Sequence, residues 1–131
     1  MPKVTAVIKE ENFRTVVATD DHWFITDEPM SVGGKDLGAD PGELLSAALA
    51  ACSAATMRMY ANHKQWNLEE VRVEVDFKKN ATEGKTIFTK EIQIQGNLTE
   101  EQKQKLYEIG GRCPIHKTLA NPIEIKSKLV Q

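Results

Sequence analysis

Leu44-Leu45-Ser46-Ala47-Ala48-Leu49-Ala50-Ala51-Cys52-Ser53-Ala54-Ala55-Thr56-Met57 runs without a charged side chain. Its residues are small or aliphatic and nothing in it turns the chain, so it reads as a helix. Asp40 can cap the start, Pro41 suits the first helical position, and Glu43 completes an Asp-x-x-Glu capping box. Arg58, Asn62, His63 and Lys64 bring the far end back to solvent. A helix apolar on every face must be covered on every face. The expectation is a central, buried helix with a cysteine in its middle.

The rest of the fold follows outward from it. Upstream, residues 4–8, 14–18 and 22–26 read as three short strands joined by polar turns, and 28–40, with Pro29, Gly33, Gly34 and Gly38, as a loop. Downstream, Val71, Val73, Val75 and Phe77 alternate with Arg72, Glu74 and Asp76, which predicts a strand with one wet face. Residues 87–95 return beside it with Ile92 and Ile94 inward. Thr99 and Gln102 offer a second capping box, opening a helix with Leu106 and Ile109 inward that Gly110-Gly111 ends. Cys113-Pro114 starts a short helix to about residue 119, and 123–129 reads as a closing strand. The order is βββ-α-ββ-α-α-β, an α+β fold in one domain over residues 1–131. A small sheet alone cannot cover the central helix, so an intertwined homodimer is expected.

Composition narrows the function. With 17 Lys+Arg against 19 Asp+Glu the net charge is −2, with no basic run to favour nucleic acid. The uncharged stretch is too short to span a bilayer, and Met1-Pro2-Lys3-Val4 lacks the apolar segment of a signal peptide. A cytoplasmic location is expected, where two cysteines suit a transient catalytic disulfide better than a permanent staple.

The two cysteines, Cys52 and Cys113, stand in distant segments. A thiol peroxidase needs a thiolate, a fixed positive group and a second thiol to trap the sulfenic acid. Cys52, in mid-helix, gains nothing from the helix dipole, so a cation must reach it. Of Arg14, Arg58, Arg72 and Arg112, Arg14 follows a turn and is best placed to reach in; otherwise it is a solvated surface arginine. Cys113, ahead of a helix, beside Arg112 and three residues from His116, has the setting of the more acidic thiol. His116 reads either as its partner or as a surface histidine. Two unrelated buried thiols, or an improvised zinc site at Cys113-x-x-His116, are the alternatives.

Gly38-Ala39-Asp40-Pro41-Gly42-Glu43-Leu44-Leu45, then Ala50-Ala51-Cys52, then Cys113-Pro114-Ile115-His116-Lys117-Thr118-Leu119 together resemble the OsmC/Ohr family of osmotically inducible and organic hydroperoxide resistance proteins. The segment Ala51–Tyr60 is most similar to a general OsmC-like branch. The resemblance implies an interwoven homodimer, no cofactor or metal, and reduction of organic hydroperoxides at the expense of a dithiol. It gives Cys52 the peroxidatic role and Cys113 the resolving one, with Arg14 as the cation. Where the family's glutamate follows proline, this chain has Gly42, and Glu43 comes one residue later. That step turns the side chain about 100° around the helix. The departure keeps open a second reading, a redox-sensing or ligand-binding member without turnover.

Overall fold

The computed structural model describes residues 3–130. The described residues divide into two compact units, one up to Leu45 and one from Ser46 onwards.

In the first unit, β1 (Thr5–Ile8), β2 (Thr15–Ala18) and β3 (Trp23–Thr26) form an antiparallel meander in the order β1-β2-β3. The register pairs Ile8 with Thr15 and Thr15 with Thr26. The turn into β2 is tight: the Arg14 N–H donates to the Asn12 carbonyl at 2.7 Å, and Phe13 between them has φ 63°. A bulky aromatic at positive φ is strained backbone. The loop after β3 is organised by Asp27, which is buried. Its Oδ1 accepts from the Glu28 N–H at 2.8 Å, and its Oδ2 from those of Lys35 at 3.3 Å and Leu37 at 3.2 Å. A single 3₁₀ turn, Met30–Val32, lies inside this loop.

Helix α1 (Pro41–Lys64) starts as expected: the Glu43 N–H donates to Asp40 Oδ1 at 2.8 Å and the Asp40 N–H to Glu43 Oε1 at 3.0 Å. Only one stripe of it is buried, Leu49, Ser53, Met57 and Ala61, every fourth residue along one ridge. Leu45 and Met59 remain 41% and 64% exposed. Covering on every face, expected from composition, is therefore not provided within one chain. By length and apolarity alone α1 matches a membrane span, but Met57 and Ala61 are packed in a protein core with Leu68 and Leu106.

In the second unit, β4 (Asn67–Asn80) and β5 (Lys85–Asn97) form a long antiparallel hairpin. The alternation expected for β4 holds, with Val71, Val73, Val75 and Phe77 on the more covered face. They stand opposite Ile94, Ile92, Lys90 and Phe88 of β5, and the Phe77 and Phe88 rings stack at 4.8 Å. Val71, Val73, Ile92 and Ile94 cover the core around Met57 and Leu106. Helix α2 (Glu100–Gly110) opens with the Thr99–Gln102 capping box, and α3 (Pro114–Ala120) follows Cys113. Gly110, the last residue of α2, packs directly on α1: a Cβ there would lie 3.1 Å from Met57 Sδ. The helix ends at Gly110-Gly111 as expected, with Gly111 as its C-cap, and Gly110 in addition serves close approach.

One expected element is absent. Residues 121–130 form no strand, and Ile123, Ile125, Leu129 and Val130 are 60–92% exposed. The physical reason is partnership: an alternating sequence becomes a strand only beside another strand's backbone, and neither sheet pairs with this segment.

Candidate active site

Cys113 is the N-cap of α3, with Pro114 following, in extended geometry that turns its side chain back over the first turn. Its Sγ accepts the His116 backbone N–H at 3.3 Å, and the residue is fully buried. From the buried ridge of α1, Ser53 Oγ comes within 3.5 Å of this sulfur and donates to the Gly110 carbonyl at 3.2 Å. Cys52, next to Ser53, is half-buried, and both cysteines are free thiols.

The cation of the site is Lys90. On β5 it takes an inward position in the series Phe88, Lys90, Ile92, Ile94. Its Nζ donates to Ser53 Oγ at 2.8 Å and to the Gly110 carbonyl at 3.1 Å, and meets His116 Nδ1 at 2.9 Å. Three acceptors around one ammonium suit the charged form. Because Lys90 also serves the Gly110 carbonyl, the Ser53 hydroxyl is free to turn toward Cys113 when that sulfur is a thiolate. Donation by the ammonium leaves His116 Nδ1 as acceptor and puts the imidazole proton on Nε2.

These contacts tune the groups. Burial opposes ionisation of Cys113, but the Ser53 hydroxyl, the His116 N–H, the neighbouring Cys52 thiol and the Lys90 charge together hold its pKa below the ordinary cysteine value. Burial lowers the pKa of Lys90, while the charges of Cys113 and Cys52 pull it back up. Burial and the Lys90 charge lower that of His116, which favours its neutral form. The cluster opens on a cleft of about 210 Å³ lined by Leu49, Phe88, Leu119 and Ala120, with Thr86, Lys90 and His116 supplying polar groups.

Of the residues expected from sequence, Cys52 and Cys113 share this neighbourhood. Arg14 heads β2 in the first unit, half-buried, beside a groove with Val7, Lys9, Glu11 and Val16. Glu43 is engaged by the backbone of Asp40 in the helix cap. His116 is no plain surface histidine: its ring is tied to Lys90 and its backbone to Cys113. Lys90 and Ser53 were not expected. The signal for Lys90 is a lysine at an inward position of an alternating strand. Ser53 stands on the ridge with Leu49 and Met57, where a hydroxyl needs a partner.

An α+β chain with two thiols gathered by a long helix and a hairpin-borne cation defines a class of thiol protein. The family model described as OsmC-like protein matches residues 33–128, and the chain belongs to that family. Among curated proteins, none matches this sequence. Solved structures share the fold: an OsmC-like protein from Mycoplasma pneumoniae is 24% identical, with TM-score 0.75, covering 91% of this chain and 86% of that one. An organic hydroperoxide resistance protein OsmC from Legionella pneumophila is 24% identical, with TM-score 0.68 and coverages of 92% and 89%. The organic hydroperoxide resistance protein OhrB of Bacillus subtilis is 22% identical, with TM-score 0.64 and coverages of 96% and 95%.

Proposed function

We propose that this protein is a two-cysteine peroxidase that reduces organic hydroperoxides. The Cys52 thiolate attacks the distal oxygen; the S–O bond forms, the O–O bond breaks, and the alcohol leaves. Cys113 condenses with the Cys52 sulfenic acid, releasing water and forming a disulfide that an external dithiol reduces. Exposure supports this division of labour: the half-buried Cys52 can meet a peroxide, whereas the fully buried Cys113 is suited to attack from within. The observation that carries the reading is the Lys90 ammonium, held on three acceptors with both thiols in its field. The family resemblance gives the positive role to Arg14 with Glu43. On geometry we assign it to Lys90.

The chain is further proposed to act as one OsmC-like domain over residues 1–131, as a homodimer, in the reducing cytoplasm. The dimer is supported by the exposed apolar side chains of α1 and of residues 123–130, which lack cover within one chain. Sedimentation equilibrium tests it, and a monomer at micromolar concentration refutes it.

Intact mass after one equivalent of cumene hydroperoxide tests the chemistry. Wild type loses two hydrogens as the disulfide forms, and Cys113→Ser stops at a sulfenic acid on Cys52. Survival of both thiols in folded protein sinks the reading. Engagement of Glu43 in the helix cap favours a second one, a sensor that oxidises once. Disulfide formation without turnover in excess dithiol would select it.

A further inference from the structure

The peroxidase chemistry proposed above lacks one participant. Cleaving the O–O bond puts an electron pair on an alkoxide, a strong base that leaves slowly unless protonated as it departs. The thiolate cannot supply that proton. Lys90 has its Nζ directed at Ser53, Gly110 and His116. His116 lines the cleft, its Nδ1 is occupied by Lys90, and its Nε2 makes no hydrogen bond among the described residues. No buried side-chain nitrogen or oxygen among those residues lacks a partner, so Nε2 is open rather than sealed in.

We propose that His116 is the general acid of the reaction, its Nε2–H protonating the alkoxide that leaves when Cys52 cleaves an organic hydroperoxide. This inference rests on the peroxidase reading and adds to it a proton path. As Nε2 releases its proton to the alkoxide oxygen, Nδ1 takes one from the Lys90 ammonium. The imidazole therefore never becomes an anion; it exchanges one neutral tautomer for the other. Charge balances: the Cys52 thiolate and Lys90 ammonium become a neutral sulfenic acid and a neutral amine, with one alcohol released. Cys113 and the sulfenic acid then give disulfide and water. When an external dithiol reduces that disulfide, the new Cys52 thiol returns a proton to Nε2 while Nδ1 passes its own back to Lys90, and the cycle closes. The lowered pKa of Lys90 suits it to release a proton during turnover.

The arrangement also explains why one nitrogen of His116 is spent on a cation. An ammonium on Nδ1 fixes the donor tautomer at Nε2, which a free imidazole would populate only in part.

Leaving-group acidity tests the proposal. His116→Gln and His116→Phe keep the backbone N–H that bonds Cys113, and each is compared with wild type in the first-order loss of Cys52 thiol. With tert-butyl hydroperoxide, whose alkoxide needs a proton, both variants are expected to react about 100-fold more slowly. With peroxyacetic acid, whose carboxylate leaves unaided, their rates should stay near wild type, which also reports that the site is intact. Equal slowing with both oxidants would assign His116 a structural role and overturn the proposal, as would unchanged rates with tert-butyl hydroperoxide. A wild-type protein inert to both oxidants would instead remove the peroxidase reading itself, and this inference with it.

Discussion

Asp27 and Lys90 are both charges withdrawn from water, and each is met by three hydrogen-bond partners. Their partners differ in kind. Asp27 is 1% exposed and takes only backbone N–H groups, from Glu28, Lys35 and Leu37. Those donors cannot titrate or rotate away, so the carboxylate fixes a loop and does nothing else. Lys90 faces a hydroxyl, a carbonyl and an imidazole, feels two thiols, and lines a cleft. Two of its three partners carry exchangeable protons. A buried charge satisfied by backbone is scaffold; one satisfied by side chains that can exchange protons, at an opening, is equipment for chemistry.

Lys90→Met is the severest way to test that contrast. The variant loses the ammonium proposed to supply the leaving group's proton, a general-acid contribution of about 100-fold or more, and the charge that helps hold the Cys113 pKa down. The rate of peroxide-driven thiol loss is expected to fall about 100-fold, read by stopped-flow thiol titration. The Gly110 carbonyl keeps its Ser53 donor, so the melting temperature should change little. A rate near wild type would mean that another cation serves the site.

Ser53→Ala removes one hydrogen bond from both Cys113 and Lys90 while leaving the charge in place. A hydrogen bond to a charged group contributes about 1.5 kcal/mol or more, so disulfide formation, the step that uses Cys113, should slow about tenfold. The Cys113 titration, followed by thiolate ultraviolet absorbance in a Cys52→Ser background, should move toward the ordinary cysteine value. In the wild type, Ser53, the His116 N–H, Cys52 and Lys90 together outweigh burial and hold Cys113 below that value. A midpoint that ignores Ser53 would break the link between α1 and the thiol.

Asp27→Asn should have the smallest effect on the chemistry, leaving the thiol rate of the folded protein unchanged while lowering its melting temperature. Burial raises the Asp27 pKa, but the backbone donors and the Lys35 charge bring it below the ordinary aspartate value. Stability from this group is therefore fully present above the ordinary value and is lost as pH falls through the depressed one. Thermal melts of the variant should lack that acid-side loss. A change in thiol rate larger than the change in stability would erase the distinction between the two charges.

Much of the fold was legible without coordinates because it is written in local chemistry. The reciprocal bonds of Asp40 and Glu43, the Thr99–Gln102 box and the β4 alternation each depend on residues a few places apart. The paired cysteine motifs were legible too, and with them the family. Lys90 was not, because an inward lysine on an alternating strand looks like a lapse in the pattern until its acceptors arrive from α1, α2 and α3. The closing strand failed for the opposite reason: 123–129 alternates well, but its pairing partner is not encoded in the segment.

By itself, the sequence determined where helices begin, which strand faces are apolar and where the two cysteine sulfurs lie along the chain, since capping, periodicity and residue type act over a few residues. Only the tertiary structure decided which cation faces those sulfurs and which imidazole nitrogen carries the proton. Those outcomes depend on hydrogen bonds joining residues 20 to 60 positions apart, such as Lys90 with Gly110 and Ser53 with Cys113. No local pattern specifies such contacts; burial of the Met57–Leu106 core brings them together.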